Sequence, residues 1–249
     1  MKKIILNLFM LSIIFSVQIS FNGCDDSNED SDPDPSGSAT QFPSSNNYSI
    51  EARIIGLNLG FGGLSACADV SIIEDGQIID DAIVTVNSDT IQYSYGTYQA
   101  SISTSSDYNL SIIHNENIIA IGTANIPSSV PEITNLDSGD VHSINADLTI
   151  NWSSIDDITS WQISGNNEAN DNYTSDLLPL NVTSHTIPGS YFNSGGGTVY
   201  DIQLSAINGL YPGDDAAMND PEVGYDIEGP KGYFIGITQS EVVQIFVND

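Results

Sequence analysis

Positive charge is almost missing from this 249-residue chain. It holds 4 Lys and Arg against 33 Asp and Glu, a net charge of −29. Two of the four cations are Lys2 and Lys3. Beyond residue 23, therefore, only Arg53 and Lys231 oppose all 33 acids, a net of −31. Contacts to nucleic-acid phosphates need clustered Lys and Arg, so nucleic acid is excluded as a partner. Electrostatic docking on anionic lipid is excluded for the same reason. Cysteine is equally scarce, with only Cys24 and Cys67. Lys, Arg and Met are too few to build a helical bundle, while Ile, Val, Thr, Ser, Asn and Gly abound, a composition that favours strands. Disorder throughout does not fit a chain that is 40% hydrophobic and 8% aromatic.

The N-terminus carries an address. Lys2 and Lys3 precede an apolar run, Ile4 to Phe21, broken by Asn7, Ser12, Ser16, Gln18 and Ser20. A basic start, an apolar stretch and a small residue before the cut describe a secretory signal. A bilayer span needs about 20 apolar residues, and this run with its five polar interruptions falls short. Gly23-Cys24 at its end resembles a bacterial lipoprotein signal. The resemblance implies that residues 1–23 are removed and that Cys24 becomes the lipidated N-terminus. Phe21 and Asn22 depart from the usual Leu and Ala or Ser, and a secreted protein cut elsewhere is the alternative. With Cys24 lipidated, Cys67 has no disulfide partner. Lying among Leu64, Ala66, Ala68 and Val70, Cys67 reads as a small buried hydrophobe.

Residues 24–45 read as a solvated acidic linker. Asp25, Asp26, Glu29, Asp30, Asp32 and Asp34 repel one another, and Pro33 and Pro35 stiffen the run. About 20 residues at roughly 3.1 Å each reach ~60 Å from the membrane. Acids directly after the lipidated Cys resemble the surface-export signal of Bacteroidetes-type lipoproteins, which implies an outer-membrane or cell-surface location. In enterobacteria the same Asp resembles an inner-membrane retention signal. A periplasmic or secreted location, with the acids as a plain spacer, also stays open.

The rest reads as all-β: two antiparallel β-sandwich domains, residues 46–128 and 131–249, each long enough to bury a core without disulfides. Ile50, Ala52 and Ile54 alternate with Glu51 and Arg53, and Tyr98, Ala100 and Ile102 alternate with Gln99, Ser101 and Ser103. Glu74-Asp75-Gly76 and His114-Asn115-Glu116-Asn117 are turn-type segments between apolar runs. Asp81 to Val86, Gly96-Thr97-Tyr98 and Asp107-Tyr108-Asn109-Leu110 resemble carboxypeptidase-regulatory-like modules. Pro127-Ser128-Ser129-Val130-Pro131 reads as a linker. Beyond it, Leu148, Ile150 and Trp152 share a face, Trp161 and Ile163 open a strand, and Tyr200, Ile202, Leu204 and Ala206 share another. The order Trp152, Trp161, Tyr200 to Asn208 resembles a fibronectin type III or Ig-like domain, although the stretch from Asn208 to Lys231 exceeds a simple hairpin loop.

No motif announces catalysis. His114, His142 and His185 have no zinc spacing, and no phosphate loop, dinucleotide fingerprint or Gly-x-Ser-x-Gly elbow occurs. Gly195-Gly196-Gly197 precedes a strand, whereas a phosphate cradle needs a helix there. The loop from Gly213 to Gly229 concentrates Asp214, Asp215, Asp220, Glu222, Asp226 and Glu228. Ca²⁺ wants six to eight oxygens on a turning backbone, so Asp214, Asp215, Asp220, Glu222 and Asp226 are candidate calcium ligands. Plain solvated charge is the competing reading. Trp152 and Trp161 sit in strand patterns and read as core. Tyr173, Tyr191, Tyr211 and Tyr225 read as loop residues and are the candidates for exposed ligand contact.

The sequence thus points to a lipid-anchored cell-surface protein with a non-enzymatic structural, adhesive or accessory role. The alternative is a carbohydrate- or ligand-binding accessory lipoprotein of an outer-membrane uptake system. An enzyme comes third, because adjacent pairs such as Asp156-Asp157 do not set the carboxylate spacing that glycoside hydrolysis needs. The expected partners are the membrane, through the anchor, and a polysaccharide or another surface protein. No cofactor is expected other than calcium.

Overall fold

A computed structural model describes residues 47–58, 64–167, 172–194, 197–211 and 224–248, all within one unit, Thr40–Asp249. The described part is all-β, as the composition predicts, with one 3-10 turn at Gly189–Tyr191. No helix among the described residues is long and apolar enough to cross a membrane.

The first sandwich uses β1 (Tyr48–Asn58), β2 (Leu64–Glu74), β3 (Gln77–Ile78), β4 (Ile83–Val86), β5 (Asp89–Ser94), β6 (Thr97–Ile102), β7 (Tyr108–His114) and β8 (Asn117–Ala124). One sheet runs β5–β6–β2–β1 and the other β5–β4–β7–β8. Strand β5 serves both, pairing Asp89 to Ile91 with β4 and Gln92 to Ser94 with β6. The period of two drives Ile50, Ala52, Ile54, Ala68 and Val70 inward from the first sheet. Val84, Val86, Tyr108, Leu110 and Ile112 meet them from the second. The turn at Asp75-Gly76 takes positive φ at both residues, as a tight two-residue hairpin requires.

Cys67 corrects one expectation. It alternates with Ala66 and Ala68, so it faces away from the core and is half-buried. Its Sγ lies 3.6 Å from the Ala68 carbonyl, and burial followed by the Asp69 charge pushes the thiol pKa up, keeping it protonated.

The second part comprises β9 (Val141–Ser143), β10 (Leu148–Asn151), β11 (Ser160–Asn167), β12 (Asn172–Thr174), β13 (Leu178–Pro179), β14 (Ser184–Ile187), β15 (Thr198–Asn208), β16 (Gly224–Tyr225), β17 (Ile227–Glu228), β18 (Lys231–Gln239) and β19 (Val243–Asn248). Strand β15 lies between β11 on one edge and β19 then β18 on the other, and β9 extends β19 in parallel. Strands β10 and β14 form a separate antiparallel pair. Trp161, Ile163, Tyr200, Ile202, Leu204 and Val247 pack with Ile150, Trp152, Ile187 and Phe192 between the layers. Both tryptophans are core residues, with rings 5.8 Å apart. Trp161 Nε1 donates to the Leu180 carbonyl at 3.2 Å.

Residues 224–239 then leave the second core and complete the first. Strand β18 pairs in parallel with β1 over eight residue pairs, Ser49↔Lys231 through Gly56↔Thr238. Strand β17 pairs with Gly122 and Ile121 of β8. One segment therefore covers the outer edge of each sheet of the first sandwich, where unpaired N–H and C=O groups would otherwise stand open. Phe234 enters the first core, while Tyr233 and Ile235 point to the opposite face and form a third cluster with Ile207. The pairing needs glycine. A Cβ on Gly232, at φ +122°, would sit 1.7 Å from the Ile50 carbonyl oxygen, and one on Gly236 would sit 2.0 Å from that of Asn125.

Candidate functional site

Several expected site residues lie outside the described residues: Cys24, the signal at 1–23, the linker at 24–45, and Asp214, Asp215, Asp220 and Glu222. Of the candidate calcium ligands in the acidic loop, Asp226 is described. It is exposed, takes φ +57°, and its Oδ2 accepts a hydrogen bond from the Leu210 backbone N–H at 2.9 Å. Among the described residues no three His, Cys, Asp or Glu side chains converge to hold a metal.

The four candidate tyrosines fall into two separate pairs, all half-buried. Tyr191 lies in the 3-10 turn and Tyr211 outside the regular elements, whereas Tyr173 and Tyr225 belong to the short strands β12 and β16.

The first pair stands on the second sandwich. Tyr173 and Tyr191 have ring centroids 5.4 Å apart, and Tyr191 also packs edge-on against Phe192 and Tyr200. Tyr173 Oη lies 2.6 Å from His185 Nε2. Burial, then the Asp176 charge, raises the Tyr173 pKa. Burial lowers that of His185, against an opposing pull from Asp176. Both groups are thus held neutral at neutral pH. Two phenol rings and a neutral imidazole, each with a polar tip, can stack and hydrogen-bond a ligand.

The second pair flanks Tyr233, which binds Arg53, the one arginine in the protein. Tyr211 packs edge-on against Tyr233 at 5.1 Å, and Tyr225 is the strand neighbour of Tyr233. Arg53 donates to Tyr233 Oη from Nε at 3.2 Å and from Nη2 at 2.7 Å. Tyr233 in turn donates to Glu51 at 3.4 Å, and Arg53 Nη2 lies 3.5 Å from the same Glu51 oxygen. Burial alone would lower the guanidinium pKa, but the neighbouring Tyr233, Tyr211 and Glu51 outweigh it and raise it. Burial, only partly offset by Arg53, pushes Tyr233 up to about 12. Periodicity gave no hint of this cluster. The available signal was scarcity, since an arginine among so many acids has many suitors and few places to be half-buried.

His114 ends β7 and is buried, and its Nδ1 lies 2.9 Å from Tyr48 Oη. Its Nε2 lies 3.2 Å from Asp81. The two ring nitrogens thus face different partners, an arrangement that ties together the ends of both sheets. A surface groove of about 470 Å³ runs beside β8 and β17, lined by Leu110, Ile121, Thr123, Asp226, Ile227 and Glu228 among others.

No protein-family model and no curated protein matches the chain. Among solved structures it is similar to the FN1–FN3 domains of chicken CNTN1 (12% identity, 81% of this chain and 69% of that one, TM-score 0.30). It is also similar to the BSP domain of a biofilm associated protein (18% identity, 80% and 30% covered, TM-score 0.25). A third is DIP-gamma IG1+IG2 (10% identity, 81% and 98% covered, TM-score 0.23). Superpositions this loose transfer no site from those proteins to this chain.

Proposed function

We propose that the protein is a lipid-anchored cell-surface β-sandwich protein with a non-enzymatic, adhesive or accessory binding role. The observation that carries the reading is the order of segments: a basic and apolar leader, Gly23-Cys24, an acidic linker, then an all-β body. Such a body holds its shape at the end of a tether that its own acids and prolines extend. In the expected test, the wild-type chain fractionates with membranes and is stripped from intact cells by added protease, whereas Cys24→Ser is soluble. A Cys24→Ser chain that fractionates and is stripped as the wild type would sink the anchor.

The second reading, a carbohydrate-binding accessory lipoprotein of an uptake system, is favoured by Tyr173, Tyr191 and His185 standing together on one sandwich. It predicts polysaccharide binding on a glycan array that Tyr173→Ala removes. A blank array across polysaccharides discards it.

A further inference from the structure

From the strand topology we infer that the parallel β1–β18 pair is a shear clamp, transmitting tension between the N-terminal tether and the second sandwich. The inference rests on the reading of residues 24–45 as a tether.

The first strand after the linker lies beside the strand that leads to the C-terminal end of the described chain, and in parallel. Strand β18 is followed by β19 along the same edge of β15, with Ser205 to Asn208 paired to β18 and Thr198 to Ile202 paired to β19. The N-terminal end of β1 and the C-terminal end of β19 therefore point opposite ways along one strand direction. Tension between them slides β1 past β18, so all eight registered pairs resist together. Strand β2, antiparallel to β1 from Tyr48↔Glu74 to Asn58↔Leu64, resists the same slide on the other edge.

Side chains oppose sliding as well. Phe234 is fully buried in the first core, and Arg53 binds Tyr233 across the pair. Gly232 and Gly236 let β18 seat so closely that its neighbours' carbonyls occupy the space of a Cβ. A pull that separated β1 and β18 from one end would instead break one pair at a time, because only the bonds at the fork carry the tension.

Single-molecule force spectroscopy on the full chain, purified without lipid and carrying Cys67→Ser, tests this. One handle is fixed at Cys24 and the other at a C-terminal tag, which loads the pair in shear. In a second protein the far handle is fixed at Glu228→Cys, beside the Ser49↔Lys231 end of the pair, which peels it. The expected unfolding force is at least about twofold higher in shear than in peeling, as forced unfolding follows the barrier that the broken bonds set. Equal forces in the two geometries overturn the clamp. The assay uses unlipidated protein, so failure of the anchor would show in membrane fractionation and leave this result unaffected.

Discussion

Arg53 Nη2 donates to Tyr233 Oη at 2.7 Å, joining residues 180 positions apart across the parallel β1–β18 pair. One of only two cations beyond residue 23 thus lies where the C-terminal segment docks on the first sandwich. Removing the phenol oxygen by Tyr233→Phe leaves a half-buried guanidinium short of its acceptor and should cost about 1–3 kcal/mol. Glu51→Gln, whose carboxylate is about half exposed, should cost less than ~1 kcal/mol. Urea denaturation of the two variants checks the order.

Alkaline pH should unfold the protein through its tyrosines. Burial and the Glu74 hydrogen bond push Tyr48 up to about 12, and burial pushes Tyr233 to the same value, against 10.0 for a free tyrosine. In the window between those values the unfolded chain has released protons that the folded chain keeps, so stability falls as pH rises. It is fully present below pH 10 and lost through about 12, on the order of 2–3 kcal/mol for each tyrosine. Denaturation midpoints measured across this window should fall less steeply in Tyr48→Phe and in Tyr233→Phe than in the wild type.

Gly232→Ala separates close packing from backbone conformation. At Gly76 (φ +78°) no atom lies within 4 Å of an added Cβ, so Gly76→Ala should cost about 1 kcal/mol from the positive φ alone. At Gly232 the same methyl collides with the Ile50 backbone, and β18 must lift off β1. A loss of more than about 4 kcal/mol, or failure to fold, is expected there. Similar thermal midpoints for the two variants would contradict the seating of β18.

Much of this architecture was written in local pattern. Alternation at Ile50 to Ile54 and at Tyr200 to Ala206, together with Trp152 and Trp161, announced strands and cores because a period of two is a local property. The partner of β18 was not legible. Tyr233 and Phe234 look the same in sequence whichever sheet they join, and a parallel pairing across 180 residues leaves no local mark except the glycines. Tyr173 and Tyr225 read as loop residues because strands of two or three residues are too short to show alternation. The apolar neighbours of Cys67 suggest an inward side chain, although the same alternation assigns it to the outer face.

Salt should stabilise the protein. With two cations for 33 acids beyond residue 23, few carboxylates can form ion pairs, and self-repulsion acts over a Debye length of about 8–10 Å in ordinary buffers. The melting temperature should rise from low salt to high salt, and rise further with divalent cations at equal ionic strength. Equal melting temperatures at low and high salt would contradict this account of the charge.

The most direct test of the central claim is intact mass spectrometry of the protein extracted from membranes of the cells that make it. The account predicts a chain that begins at Cys24 and carries the mass of a lipid on that residue. An unmodified chain, or one that begins at any other residue, would contradict it.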